Sequence, residues 1–178
     1  MGGADYDRMD GGAGNDLINP GSNNNSGSDV IVGSTGNDTI SFADANSIGY
    51  FEISYAAMSS VSVTISGTAT VQSGTAIKGG GAGTDTLTSV QSINGEQGGL
   101  GFFGSAGNDV FTFSLARAQD YVQVNGSAGN DTITLAGQTA GLVRADYRTA
   151  GSGIFVDLNR TSGQVVNDGM GGTDTLVG

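Results

Sequence analysis

At 178 residues the chain is long enough for one domain with a real core, but 33 glycines, one proline and no Cys, His or Trp place it far from an ordinary globular composition. High glycine without high proline or a strict Gly-X-Y triplet excludes collagen, and a formal net charge of −11, with Lys78 the only lysine, excludes a nucleic-acid-binding surface. No apolar run approaches the roughly 20 residues of a membrane-spanning helix.

Glu52 and Glu96 are the only glutamates, so nearly all the acid is Asp. A merely solvated acidic surface would use Glu freely, whereas tight turns and calcium sites both favour the short Asp carboxylate. Such a chain repels itself until cations arrive, and about five divalent ions would roughly cancel its charge. The same composition, poor in aromatics and rich in Asn, Ser and Gly, also fits a disordered chain when those ions are absent. Met1 leads straight into Gly2-Gly3-Ala4-Asp5 with nothing like a signal peptide, and Gly178 stops just after a repeat. Both ends read as cuts inside a longer array.

In chain order, Gly2–Asp10 is a degenerate copy of a nine-residue unit, with Asp7 at the sixth position and Met9 as the inward apolar residue. Gly11–Asn19 (Gly-Gly-Ala-Gly-Asn-Asp-Leu-Ile-Asn) abuts it and gives the unit in full. Its glycines let the backbone turn through conformations closed to other residues and bring carbonyls inward, and Asp16 follows as a hard oxygen ligand. Leu17–Asn19 then forms a very short strand with Ile18 pointing in. Pro20–Asn23 interrupts, and Asn24–Val32 resumes a weaker copy through Gly27, Asp29 and Ile31. Gly33–Ser41 follows at the same period with Gly36, Asp38 and Ile40. Phe42–Gly79 is filler, in which Val61–Ile65 alternates apolar and polar residues and is expected to be a strand. The unit returns at Gly80–Thr88 with Asp85 and Leu87, then almost letter for letter at Gly104–Thr112 and Gly126–Thr134, with Asp109 and Asp131. Between these two, Ser114–Gln123 reads as a short helix or a strand, with Tyr121–Val124 favouring strand. A larger repeat lies above the unit. Residues 33–88 run motif, Tyr55, Val61–Ile65 and Gly-Thr-Asp-Thr-Leu; residues 126–177 run motif, Tyr147, Ile154–Leu158 and the same Gly-Thr-Asp-Thr-Leu with Asp174.

The unit matches G-G-x-G-x-D-x-U-x, with U a large apolar residue, and resembles the haemolysin-type, or RTX, calcium-binding repeat of secreted bacterial proteins. The resemblance implies an all-β fold: a parallel β-roll or β-solenoid of glycine-aspartate-rich nonapeptides, here with longer inserted rungs, in one domain over residues 1–178 with tight repeats at 2–41. One unit cannot bury its apolar face alone and is stable only when stacked on others. Alternate units stack on one side of the family's roll with metal between the turns, which would pair Asp7 with Asp29 and Asp16 with Asp38.

The expected metal ligands are the side chains of Asp7, Asp16, Asp29, Asp38, Asp85, Asp109, Asp131 and Asp174. Turn carbonyls around Gly11, Gly14, Gly33, Gly36, Gly104, Gly107, Gly126 and Gly129 would assist them. For a single copy the plainer reading is a turn in which Asp caps backbone amides; eight copies in register with an apolar residue two places on favour the metal. Asp85 and Asp174 follow Thr at position five and fit turns that close long rungs without a metal. Met9, Ile18, Ile31, Ile40, Leu87, Phe111, Ile133 and Leu176 are core.

Without His or Cys, serine- and cysteine-type triads and the usual zinc sites lack their parts. Asp146-Tyr147-Arg148 is the nearest approach to a uronate lyase or epimerase site, and a strand-end salt bridge explains it equally. No enzyme activity is expected. The reading is a calcium-binding structural module of a secreted or cell-surface protein, exported unfolded by type I secretion as the family implies and ordered by several Ca²⁺ outside the cell. The alternative is a surface- or polysaccharide-binding module of an adhesin or carbohydrate-active enzyme, whose partner would be a cell-surface glycan.

Overall fold

The period of two in the short apolar segments makes strands, and glycine-rich turns limit each to a few residues. A computed structural model describes residues 5–22, 28–45, 49–93, 99–136 and 140–178. The first glycines of the Gly2–Asp10 copy, Gly27 and Glu96 fall outside them.

Six strands form one sheet: β1 (Arg8–Asp10), β3 (Ser28–Val32), β5 (Tyr50–Ser54), β9 (Gly99–Phe103), β11 (Tyr121–Asn125) and β13 (Leu142–Ala145), hydrogen-bonded in that order. Every pairing in it is parallel. A second sheet takes β2 (Leu17–Ile18), β4 (Thr39–Ser41), β6 (Val61–Gly67), β7 (Gln72–Lys78), β8 (Gly83–Thr88), β10 (Val110–Phe113), β12 (Thr132–Leu135) and β16 (Thr175–Val177). Up to β6 the chain alternates between the two sheets, one strand to each.

The second sheet is mixed, so a wholly parallel winding does not describe the molecule. Its order is β16-β12-β10-β6-β7-β8-β4-β2, with β7 antiparallel to both neighbours. The cause is a tight turn at 68–71, where the Thr68 amide donates to the Val71 carbonyl at 2.8 Å and folds β6 back on itself. The filler before Gly80 is therefore a meander inserted between two stacks of nonapeptide turns.

Val61–Ile65 lies in β6 as its alternation indicates, and Tyr121–Val124 lies in β11. Ile154–Leu158, its counterpart in the larger repeat, behaves differently. Only Phe155–Val156 is a strand (β14), paired antiparallel with β15 (Val165–Asn167) in a separate two-stranded sheet. Ile154, Phe155, Val156 and Leu158 are all exposed. Consecutive apolar residues there lack the polar alternation of Val-Ser-Val-Thr-Ile, so no single face can be buried, and β16 takes the place beside β12 instead.

One continuous hydrophobic cluster lies between the two large sheets. Ile18, Ile31, Ile40, Leu87, Phe111 and Ile133 are buried in it, and Met9 and Leu176 pack against it. Phe102 bridges the sheets, its ring 6.2 Å from Phe111 and 5.8 Å from Phe113. Each such side chain contributes about 1.5–3 kcal/mol on burial, enough to hold sheets whose strands are too short to persist alone. Leu17, one place before Ile18, points to solvent.

Candidate metal centres: the stacked aspartate turns

Each acidic turn lies over the next, and a regular exchange of hydrogen bonds joins them. The amide of one sixth-position residue donates to the Oδ1 of the next aspartate in the stack. This bond runs from Asp7 to Asp29 at 3.0 Å, Asp16 to Asp38 at 3.0 Å and Asp38 to Asp85 at 3.1 Å. A further stack runs from Val61 to Asp109 at 2.6 Å, Asp109 to Asp131 at 2.8 Å and Asp131 to Asp174 at 3.0 Å. The residue after the upper aspartate returns a bond to the lower carbonyl, as Thr39 does to Asp16 at 2.7 Å and Thr132 to Asp109 at 2.9 Å. The structure thus brings together the pairs Asp7–Asp29 and Asp16–Asp38. It also shows a second ladder at position five, running the opposite way: Asn37, Thr84, Asn130 and Thr173 amides donate to the side chains of Asn15, Asn37, Asn108 and Asn130. The recurrence of Asn before Asp was the sequence signal for that ladder, and its role became legible only with stacking.

Glycine sets the spacing between turns. At Gly36 (φ 124°) and Gly129 (φ 116°) the backbone is in the left-handed half of conformational space, and a Cβ would run into the carbonyls of Gly14 and Gly107 below. A Cβ at Gly11, Gly104 or Gly126 would collide with the Oδ2 of Asp16, Asp109 or Asp131, so these carboxylates fold back over their own loops. Gly107 lies against the Ser59 carbonyl, and Gly14 carries its carbonyl toward Gly36. Gly33 departs from the pattern: what a Cβ would meet first there is the Tyr55 ring.

The second carboxylate oxygen distinguishes the aspartates. In Asp16, Asp29, Asp85 and Asp131 the Oδ2 is buried without a hydrogen-bond partner. Asp109 is satisfied internally, its Oδ2 accepting the Ser105 amide at 2.6 Å and its Oδ1 the Ser105 hydroxyl at 2.8 Å. Asp174 Oδ2 accepts the Tyr147 hydroxyl at 2.8 Å. Asp38 Oδ2 and Asp85 Oδ1 both face the ammonium of Lys78. Asp168, which the nonapeptide pattern does not mark, is fully buried. Its Oδ1 accepts the amides of Met170, Gly171 and Gly172, and its Oδ2 is another buried oxygen without a partner.

Burial raises the carboxyls of Asp29, Asp85, Asp109 and Asp174 above their ordinary range. Asp131 is pushed up to about 8, first by burial and then by the like charges of Asp174, Asp109 and Asp168, against one favourable bond from the Asp109 amide. A buried carboxylate oxygen with no donor, beside other carboxylates, is costly as an anion and is stabilised by a cation. Among the described residues no three acidic side chains converge on one point. A cation between these turns would therefore complete its shell with backbone carbonyls, an all-oxygen donor set that suits calcium. Asp16, Asp29 and Asp131 with Asp168 fit that role. The Asp146-Tyr147-Arg148 cluster does not converge, since Arg148 pairs with Asp146 at 2.7 Å while Tyr147 reaches Asp174.

Among the described residues the chain is all-β and repetitive, built of stacked, glycine-spaced aspartate turns. The RTX calcium-binding nonapeptide repeat matches the chain in four copies, over residues 1–26, 23–41 and 123–137. No curated protein and no solved structure matches it. Over these segments the chain thus carries RTX nonapeptide repeats, a repeat that binds calcium. The Gly104–Thr112 copy lies outside the matched segments but stacks directly on the matched copy through the Asp109–Asp131 bond.

Proposed function

We propose that this chain is a calcium-ordered β-roll module of a secreted or surface protein, with no catalytic role. The observation that carries the proposal is the row of buried, unpartnered carboxylate oxygens on Asp16, Asp29, Asp131 and Asp168, set among stacked turns; in Asp29, Asp131 and Asp168 the other oxygen accepts backbone amides. Without calcium the like charges oppose stacking and the chain is extended and fit for export. At extracellular calcium the ions neutralise them, organise the turns and let the apolar ladder close.

Far-ultraviolet circular dichroism of the chain, titrated with Ca²⁺ after EGTA treatment and with Mg²⁺ as control, tests this. A cooperative coil-to-β transition with Ca²⁺ alone is expected. A β spectrum indifferent to EGTA would leave the turns purely structural and remove the calcium role.

The second reading, a glycan-binding module, is favoured by the outer face of the six-stranded sheet. Tyr50, Glu52, Tyr121, Gln123 and Arg148 surround a shallow concavity of about 380 Å³ there. Gly99 and Gly101 form its floor, with the Tyr121 and Tyr50 side chains folded over them. Aromatic faces beside planar polar groups are the chemistry that holds sugar rings. A glycan array probed with the calcium-loaded chain separates the readings.

A further inference from the structure

Lys78 ends β7, two places after the buried Ala76 on the inward face. Because β7 runs antiparallel to its neighbours, that end lies at the turn side of the sheet, opposite Val61 and Gly83. The Lys78 side chain is fully buried, and its Nζ lies 2.5 Å from Asp85 Oδ1 and 3.3 Å from Asp38 Oδ2. It also donates to the Ser34 carbonyl at 2.5 Å. Two carboxylate oxygens from successive turns and one turn carbonyl are the donor set expected of a metal between rungs. Here they hold an ammonium, whose three N–H donors match the three acceptors.

We infer that the Asp38–Asp85 rung is a cation site filled by the protein's own Lys78, and that it takes no calcium while that lysine is present. The inference rests on the calcium reading and refines it. Buried charge is tolerated only when paired, and this ammonium pairs with both aspartates at once. A divalent ion entering beside it would meet a like charge at close range in a medium of low dielectric, with Asp38 Oδ2, Asp85 Oδ1 and the Ser34 carbonyl already engaged and Asp85 Oδ2 alone left over. The Asp38–Asp85 rung is thus fixed without metal. In the same stack, Asp16 keeps its buried Oδ2 for an ion on the far side of Asp38, whose Oδ1 accepts the Asp16 amide. Asp38 and Asp85, expected from the repeat pattern to be ligands, act instead as counter-ions to a tethered cation.

The test is the number of calcium ions held at saturation, by native mass spectrometry, in the wild type and in Lys78→Ala. Removing the ammonium opens space between two carboxylates, so the variant is expected to hold one ion more than the wild type and to need severalfold more calcium to fold. A folded variant with the wild-type count overturns the inference. If the variant fails to fold at any calcium concentration, the wild type decides. Isotope-labelled lysine gives a single ammonium signal by nuclear magnetic resonance, because there is one lysine. Slow hydrogen exchange of that signal in the calcium-loaded chain supports a buried, paired ammonium, and a fast-exchanging, solvent-like signal overturns it. A wild type that binds no calcium refutes the calcium reading itself, whereas one that binds calcium with a solvent-exposed Lys78 refutes only this inference.

Discussion

Replacing Asp131 by Asn separates a metal ligand from a turn cap, because the two roles predict opposite signs without calcium. Asp131 is 1% exposed, its Oδ1 accepts the Asp109 amide at 2.8 Å and its Oδ2 has no partner. The Asn oxygen preserves the one bond the carboxylate makes and removes the charge. Holding that carboxyl at about 8 penalises its charged form at neutral pH. At about 1.4 kcal/mol per tenfold change in proton affinity the penalty is a few kcal/mol, lessened by solvent screening. Asp131→Asn should therefore stabilise the metal-free fold by about 1–3 kcal/mol, allowing for two amide hydrogens that are themselves poorly placed. With calcium the sign reverses. Losing an anionic ligand should weaken binding by at least about tenfold, a size that lost outer-shell partners already produce. The assay is circular dichroism of both chains, as residual β signal in EGTA and as urea unfolding in millimolar calcium. A variant with no more β signal than the wild type in EGTA and an undiminished calcium affinity would show that Asp131 is an ordinary cap and refute the argument.

The metal-free chain should also be more stable in acid than in base. The folded-state carboxyls of Asp29, Asp85, Asp109, Asp131 and Asp174 are all raised. Their favourable contribution is complete below the unfolded value of about 3.9 and is lost as pH rises through the folded values, to about 8 for Asp131. In EGTA the residual β signal should thus be larger at pH ~5 than at pH ~8. Saturating calcium should cancel or reverse that order, since protons compete with the ion, and a metal-free β signal that climbs with pH would contradict the burial of these groups. Gly129→Ala should cost about 1–3 kcal/mol from backbone strain alone, and more from the clash with the Gly107 carbonyl. Calcium should recover little of that loss, and a variant melting like the wild type would mean the turns stack less closely than described.

Legibility from sequence followed the range of the interaction. The nonapeptide is local, so the positions of Asp16, Asp38, Asp109 and Asp131, and the inward Ile18, Ile40, Phe111 and Ile133, could be read directly. The 22-residue interval that places Asp7 on Asp29 and Asp16 on Asp38 survived the interruption at 20–23, because a loop can absorb extra residues without changing which turns stack. The meander was hidden, since parallel and antiparallel neighbours share the alternation of Val61–Ile65. Which carboxylate oxygens are spent was hidden too. Ser105, Tyr147 and Lys78 reach their aspartates only after folding, and Lys78 and Asp38 are 40 residues apart.

The turns at Asp85 and Asp174 gain meaning from this comparison. Both follow Thr instead of Asn, and both end a stack in the hydrogen-bond ladder. An inner aspartate has a turn on each side, whereas a terminal one leaves a buried oxygen facing whatever the intervening chain supplies. At Asp174 the long segment after β12 brings the Tyr147 hydroxyl; at Asp85 the meander brings Lys78. Tyr55, the counterpart of Tyr147, is fully buried beside Asp85, and burial together with that carboxylate holds its hydroxyl proton well above the usual range. The larger repeat therefore recurs as a task, closing a stack of acidic turns without leaving a naked charge, and only in part as a shape. A donor carried by the chain, Tyr147 or Lys78, thus meets one carboxylate oxygen of each closing aspartate without an ion, while Asp16, Asp29 and Asp131 have no such side-chain donor on Oδ2.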